Sequence, residues 1–167
     1  MSTHKPSFSR MNVYRELADG TRSLQALEEA VAKSGLDPLL LELVRTRVSQ
    51  LNGCAFCLDM HQRDARAKGE RQQRLDLIAA WREAPCYDAR ERAALALAEA
   101  LTLVAGRPLP EDIWHAAAQV FDKNQLAALV FAIASINAWN RLAIASGASP
   151  ALREDDASPA LREDAAS

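Results

Sequence analysis

No stretch of this 167-residue sequence reaches the roughly 18 uninterrupted apolar residues that would make a membrane span the first expectation. The opening segment, MSTHKPSFSRMNVYRELADG, lacks the apolar centre of a signal peptide. Neither sign of charge dominates: 20 Lys and Arg against 22 Asp and Glu give a formal net charge of −2. The basic residues are scattered rather than blocked, so there is no electrostatic case for nucleic acid or an anionic membrane as partner. No G-x-G-x-x-G follows a strand and no P-loop is present, so no nucleotide, flavin or haem cofactor is expected. Cysteine is scarce. Cys54, Cys57 and Cys86 make an odd set without an export signal, which argues against a disulfide framework. The expected compartment is a reducing cytoplasm, where a close cysteine pair is more often catalytic or metal-binding.

What is present reads as helix. Hydrophobic residues make up 49% of the chain and charged residues 25%, the balance of one globular domain with its own core. Alanine and leucine abound, and no β-branched run alternates with polar residues. Thr21 or Ser23 can cap a helix that stops at Gly35. Asp37-Pro38 opens another, which runs to about Leu51 and breaks at Asn52-Gly53. Further helices are expected from near Cys54 to Gly69, from Arg71 to Trp81, from an Asp88/Glu91 capping box to Gly106, and from Pro110 to Val120. The longest is expected to start at an Asn124 cap and end at Gly147. This makes an all-α fold of seven or eight helices over residues 1–147. The remaining segment, 148–167, repeats SPALRED twice and reads as a charged, mobile tail.

The stretch NGCAFCLDMH, residues 52–61, carries the densest chemistry. On a helix, Cys54, Cys57 and His61 fall at i, i+3 and i+7 and share a face. Cys57 and His61 are side-chain neighbours, so the imidazole can take the thiol proton. The Asn52-Gly53 break puts the pair in a first helical turn, where free N–H groups and the macrodipole favour a thiolate. A redox-active dithiol is the resulting expectation. Two rivals stand beside it. Both cysteines can be ordinary small buried residues. Alternatively, they bind zinc with His61 and Glu42, although no second cysteine pair follows. A thioredoxin-type use of C-x-x-C would need a βαβ scaffold that this sequence does not offer.

The segment from Glu42 to Gly69, ELVRTRVSQLNGCAFCLDMHQRDARAKG, closely resembles the core motif of the alkylhydroperoxidase-D / carboxymuconolactone decarboxylase family. The matching positions are Glu42, Cys54, Cys57, His61 and Gly69. The later INAWNRLA, Ile136 to Ala143, resembles the closing helix of some members with less specificity. The resemblance implies an AhpD-like helical bundle that assembles as a trimer or hexamer. It also implies peroxide reduction through a dithiol/disulfide cycle, restored by a thiol reductant that in some relatives is a dihydrolipoyl protein. Carried over residue by residue, Cys57 is the peroxidatic thiol and Cys54 the resolving one, while Glu42 and His61 relay protons. The decarboxylase branch characteristically lacks the cysteine pair. Some peroxidase members have a second histidine between the cysteines, where this chain has Phe56. Helix electrostatics alone nominate Cys54 as the more acidic thiol. Two other functions stay open: a disulfide oxidoreductase or adaptor that meets no peroxide, and a lactone decarboxylase using His61 and Glu42 without redox.

Without the resemblance, Glu42 reads as solvated or paired with Arg45, on the stripe opposite Leu40, Val44, Val48 and Leu51. Cys86 reads as a spectator in a loop, His115 as a surface or packing residue, and His4 as part of an unanchored terminus. The last helix is apolar on nearly every side until Asn137, Asn140 and Arg141, which suggests burial against another subunit. Those three polar residues are expected to satisfy buried contacts at that junction.

Overall fold

The computed structural model describes residues 7–151. Among these it contains eight α-helices, one 3-10 turn and a two-residue β-bridge. The helices are α1 (Val13–Glu16), α2 (Ala18–Ala32), α3 (Pro38–Asn52), α4 (Ala55–Ala67), α5 (Gln72–Leu77), α6 (Ala89–Thr102), α7 (Glu111–Val120) and α8 (Lys123–Ser146). His4 and residues 152–167, which hold most of the repeated segment, lie outside the described residues.

Local chemistry sets most of the boundaries. Asp37 caps α3 by accepting from the Leu39 N–H at 2.9 Å, with Pro38 in the first turn. The helix ends at Gly53, whose φ of +68° is the left-handed region that favours glycine. Asp88 and Glu91 form the expected reciprocal capping box on α6.

Two expected caps are displaced. Helix α2 starts at Ala18, before Thr21 and Ser23. Both hydroxyls donate backwards instead, Thr21 Oγ1 to the Tyr14 carbonyl and Ser23 Oγ to the Asp19 carbonyl, each at 2.9 Å. Asp122 caps α8 by accepting from the Gln125 N–H at 2.8 Å. Asn124 donates to the Ser34 carbonyl and ties the first turn of α8 to the α2–α3 link. The helix expected to reach Trp81 stops at Leu77 and tightens into a 3-10 turn over Ile78–Ala80. Trp81 follows and donates its indole N–H to Glu99 Oε1 at 2.9 Å.

Helix α3 lies at the centre, packed against α4, α6 and α8. Leu43, Val44 and Val48 are completely buried. They join Leu97 and Ala98 of α6 and Leu129, Ala132, Ile133 and Ile136 of α8 in the interior. Each large aliphatic side chain removed from water there contributes roughly 1.5–3 kcal/mol. By length and composition α8 could cross a membrane, at a mean hydropathy of 1.4. Its buried stripe is instead part of the bundle core. Phe131 and Ile144 remain exposed on it.

A short antiparallel pairing closes the chain on itself. Ser7 lies opposite Ser149 and Phe8 opposite Ala148, in strands β1 (Ser7–Phe8) and β2 (Ala148–Ser149). Arg10 donates to the Ile144 and Ala145 carbonyls at 3.0 and 3.3 Å, covering the open end of α8. Gly147 turns this corner at φ +63°, and a Cβ there would collide with Ser9 Oγ. Gly147→Ala is therefore expected to loosen the strap, at a cost of about 1–3 kcal/mol. Urea denaturation would read the loss, and an unchanged midpoint would remove this account of the corner.

Candidate active site

The turn at Gly53 delivers Cys54 to the N-cap of α4, where its Sγ accepts the Cys57 N–H at 3.3 Å. Cys54 is thus just outside the helix rather than within its first turn. The Cα atoms of Cys54 and Cys57 are 5.4 Å apart and the two sulfurs form a disulfide. Both residues are only 3% exposed. Ala143 of α8 packs against them, with Phe56 and Ala148 at the margin.

A polar network anchors this turn to α8. Asn52 Nδ2 donates to both Asn137 Oδ1 (3.0 Å) and Asn140 Oδ1 (2.9 Å). Asn140 Nδ2 passes the chain to Ser49 Oγ at 3.1 Å, and Asn137 Nδ2 reaches Thr102 Oγ1 at 3.0 Å. Arg141 Nη1 donates to Asn137 Oδ1 at 2.9 Å. Of these three residues only Asn140 is buried; Asn137 is half-buried and Arg141 exposed, and the partners named are side chains of the same chain.

One turn along α4, the His61 ring hydrogen-bonds through Nδ1 to Glu42 Oε2 at 2.9 Å. Glu42 is 4% exposed, as α3 is covered on the stripe that periodicity marked as polar. Thr46 and Ser49 are fully buried on the same stripe. The sequence pattern misleads there because these polar groups sit inside, with Glu42 and Ser49 facing polar partners. Glu42 Oε1 accepts from Lys68 Nζ at 3.0 Å and Arg45 Nη1 at 3.3 Å. Burial works to raise the Glu42 pKa, but the hydrogen bond and charge of His61, with Arg45 and Lys68 behind them, outweigh it and hold it at about 2. Glu42 is thus a carboxylate. With Glu42 accepting from Nδ1, a neutral His61 ring would carry its proton on Nδ1 and present Nε2 as the acceptor. His61 Nε2 is buried and has no hydrogen-bond partner. A buried polar atom without a protein partner costs roughly 1–3 kcal/mol, and this one borders the cavity.

Cys57, His61 and Glu42 line one cavity of about 330 Å3, whose walls include Phe56, Tyr14 and Trp139. Cys54 is not among the lining residues. The Tyr14 and Trp139 rings stack with centroids 5.9 Å apart. Burial pushes the Tyr14 phenol up to about 12, so it is a neutral wall and not a base.

Of the four expected site residues, Glu42 on α3 and Cys57 and His61 on α4 line one cavity, while Cys54 at the α4 N-cap is bonded to Cys57 from outside it. The sequence reading missed Lys68, Glu28, Tyr14 and Trp139. Only the Arg45 pairing was visible, as an i, i+3 spacing from Glu42. Glu42, His61 and Asp64 have ligand-type atoms within 4.8 Å of one another. Arg45 and Lys68 already occupy Glu42 and oppose a cation there, so the donor set does not suit a metal. His115 is exposed beside Glu111, and Cys86 is a half-buried free thiol.

Residues 18–100, from the start of α2 through most of α6, match the carboxymuconolactone decarboxylase family. The uncharacterised YdfG of Bacillus subtilis is 39% identical over 138 residues, covering 83% of this chain and 94% of that one. This chain belongs to the carboxymuconolactone decarboxylase family. Within it the fold is AhpD-like. A protein of unknown function from Agrobacterium tumefaciens, proposed to be the antioxidant defence protein AhpD, superposes with a TM-score of 0.82. It is 33% identical, and the match covers 86% of this chain and 99% of that one. An uncharacterised peroxidase-related protein of Ralstonia eutropha, with an alkylhydroperoxidase AhpD core, shares the fold at a TM-score of 0.71 and 23% identity. That match covers 84% of this chain and 76% of that one. The C-x-x-C pair of this carboxymuconolactone decarboxylase family member is in place as a disulfide.

Proposed function

We propose that the protein is a thiol-dependent peroxidase that reduces organic hydroperoxides through Cys54 and Cys57. The observation that carries this reading is the asymmetry of the cavity: Cys57 lines it beside His61 and Glu42, and Cys54 does not. In the reduced protein His61 Nε2 takes the Cys57 thiol proton. The thiolate attacks the terminal peroxide oxygen and the O–O bond breaks. His61 returns the proton to the departing alkoxide, giving an alcohol and Cys57 sulfenic acid. The Cys54 thiol then displaces water from the sulfenic acid and forms the disulfide.

A dithiol reductant closes the cycle by exchange. Its first thiolate attacks Cys57 from the cavity and Cys54 leaves as a thiolate. Its second thiol then displaces Cys57 from the mixed disulfide, and the reductant departs as its own disulfide. The Cys57 N–H, already directed at Cys54 Sγ, stabilises the Cys54 leaving group. In this reading the acidity that helix electrostatics favour at Cys54 serves departure, and cavity access supports attack by Cys57. The reductant is a small or protein-borne dithiol of the dihydrolipoyl kind. Phe56, Met60, Ile136 and Trp139 give the cavity an apolar body that suits an organic peroxide. Assembly as a trimer or hexamer in the cytoplasm completes the reading, and the exposed Phe131 on α8 is available to such an interface.

Thiol titration tests the chemistry. The fully reduced chain has three cysteines. One equivalent of cumene hydroperoxide is expected to consume the Cys54 and Cys57 thiols and to spare Cys86. If both thiols of the pair stay free, the peroxidase reading fails.

A further inference from the structure

The carboxylate that orients His61 is itself held by two cations, one of which is anchored to another helix. Oε1 of Glu42 is occupied by Arg45 and Lys68, which leaves Oε2 to His61 Nδ1. The far side of the Arg45 guanidinium rests on α2, with Nη2 2.5 Å from Glu28 Oε2. The other Glu28 oxygen accepts from two residues of α8, Ser135 Oγ at 2.5 Å and Trp139 Nε1 at 3.2 Å. A continuous polar chain therefore runs from α8 through Glu28, Arg45 and Glu42 to the His61 ring on α4. Its last atom is Nε2, which has no partner. Glu28 and Arg45 both line the cavity, and the Arg45 side chain is 13% exposed.

Stability is a weak reason for this arrangement. A largely buried guanidinium between two carboxylates loses about as much in desolvation as it gains in attraction, and apolar side chains of similar volume often serve as well. Geometry is the stronger reason. A planar fork with two carboxylate partners cannot swing freely, whereas Lys68, with its side chain 40% exposed, is a flexible point charge. Without Glu28, Arg45 is free to place both terminal nitrogens on Glu42 and compete with His61 for Oε2.

We propose that Glu28 and Arg45 are positioning residues, acting through Glu42 to keep the His61 ring protonated at Nδ1 and bare at Nε2. The inference rests on the reading that His61 moves the proton of Cys57, and it makes Glu28, on a helix outside the motif, part of the proton-transfer machinery.

The test uses the full chain with 15N-labelled histidine, assigned by the loss of one ring signal in His61→Gln. Glu28→Gln is nearly isosteric and keeps an acceptor for Ser135 and Trp139. Arg45→Lys keeps the charge and loses the fork. Ring 15N shifts above the imidazole titration range report the tautomer. Stopped-flow oxidation of the reduced protein by cumene hydroperoxide reports the chemistry. The wild type is expected to show the Nδ1–H form alone. Both variants are expected to show a mixture of tautomers and a rate constant lower by about ten-fold, part of the 10²–10⁴ that a positioned base supplies. Wild-type tautomers in both variants, with native circular dichroism, would overturn the proposal. Altered tautomers in the variants, with no peroxide reaction even in the wild type, would support the positioning role and remove the peroxidase reading.

Discussion

Cys57→Ser will lower peroxide turnover by roughly 10³–10⁶-fold, the scale seen when a covalent nucleophile is removed. Serine keeps the size and polarity of the side chain, but its hydroxyl is not acidic enough to become an anion beside His61. Cys54→Ser is expected to behave differently. Its Cys57 thiolate still attacks, so one rapid oxidation per molecule survives and turnover stops at the sulfenic acid. Stopped-flow fluorescence with cumene hydroperoxide would show that single burst. Dimedone labelling followed by peptide mass spectrometry would place the sulfenate on Cys57. A burst in Cys57→Ser with the label on Cys54 would reverse the two roles, and the cavity asymmetry would then not decide attack. Cys86→Ser should leave both rates unchanged, since Cys86 packs at the edge of a separate cluster with Leu75, Trp81 and Tyr87.

The second large effect concerns acid. Glu42 ionises at about 2 in the folded protein, against an ordinary value of 4.5. A depressed carboxyl stabilises the fold at every pH above the ordinary value, and that contribution is lost as pH falls from about 4.5 towards 2. A depression of this size corresponds to roughly 3 kcal/mol. Because the Glu42 side chain is only 5% exposed, solvent screens little of it. Glu42→Gln is expected to be less stable than the wild type by about 3–5 kcal/mol near neutrality, since Arg45 and Lys68 lose their shared counter-charge. The gap should narrow by roughly 2 kcal/mol between pH 6 and pH 3, with the remainder lost below pH 3, because the wild type alone gives up this carboxylate. Urea denaturation of both proteins across that range reads it directly. A gap that stays constant would show that His61, Arg45 and Lys68 do not hold the carboxyl charged.

Much of the architecture was legible from local signals. The Asp37-Pro38 start, the Gly53 stop and the Asp88/Glu91 box each satisfy backbone groups within a few residues, so their consequences do not depend on the rest of the fold. The cap at Thr21 failed for a local reason too, whereas Asn124 is drawn to the Ser34 carbonyl of a distant segment. Serine, threonine and asparagine can bond backwards or across to another segment as readily as they cap. The β-bridge could not be read at all, because its two strands lie some 140 residues apart and have only two residues each.

The candidate site divides along the same line. Sequence spacing placed Cys54, Cys57 and His61 on one turn-and-helix unit, since all three follow Gly53 within a single short segment. It also supplied Glu42, through a family resemblance rather than through periodicity, which had put that residue on the solvent side. The placement of Cys57 in the cavity with Cys54 outside it, the two cations on Glu42, and the link to Glu28 and α8 came only from the folded chain. The physical reason is range. Caps, turns and helical spacing are short-range and are written in neighbouring residues. Which face of α3 is buried, and which charges meet there, depends on how α2, α4 and α8 pack around it.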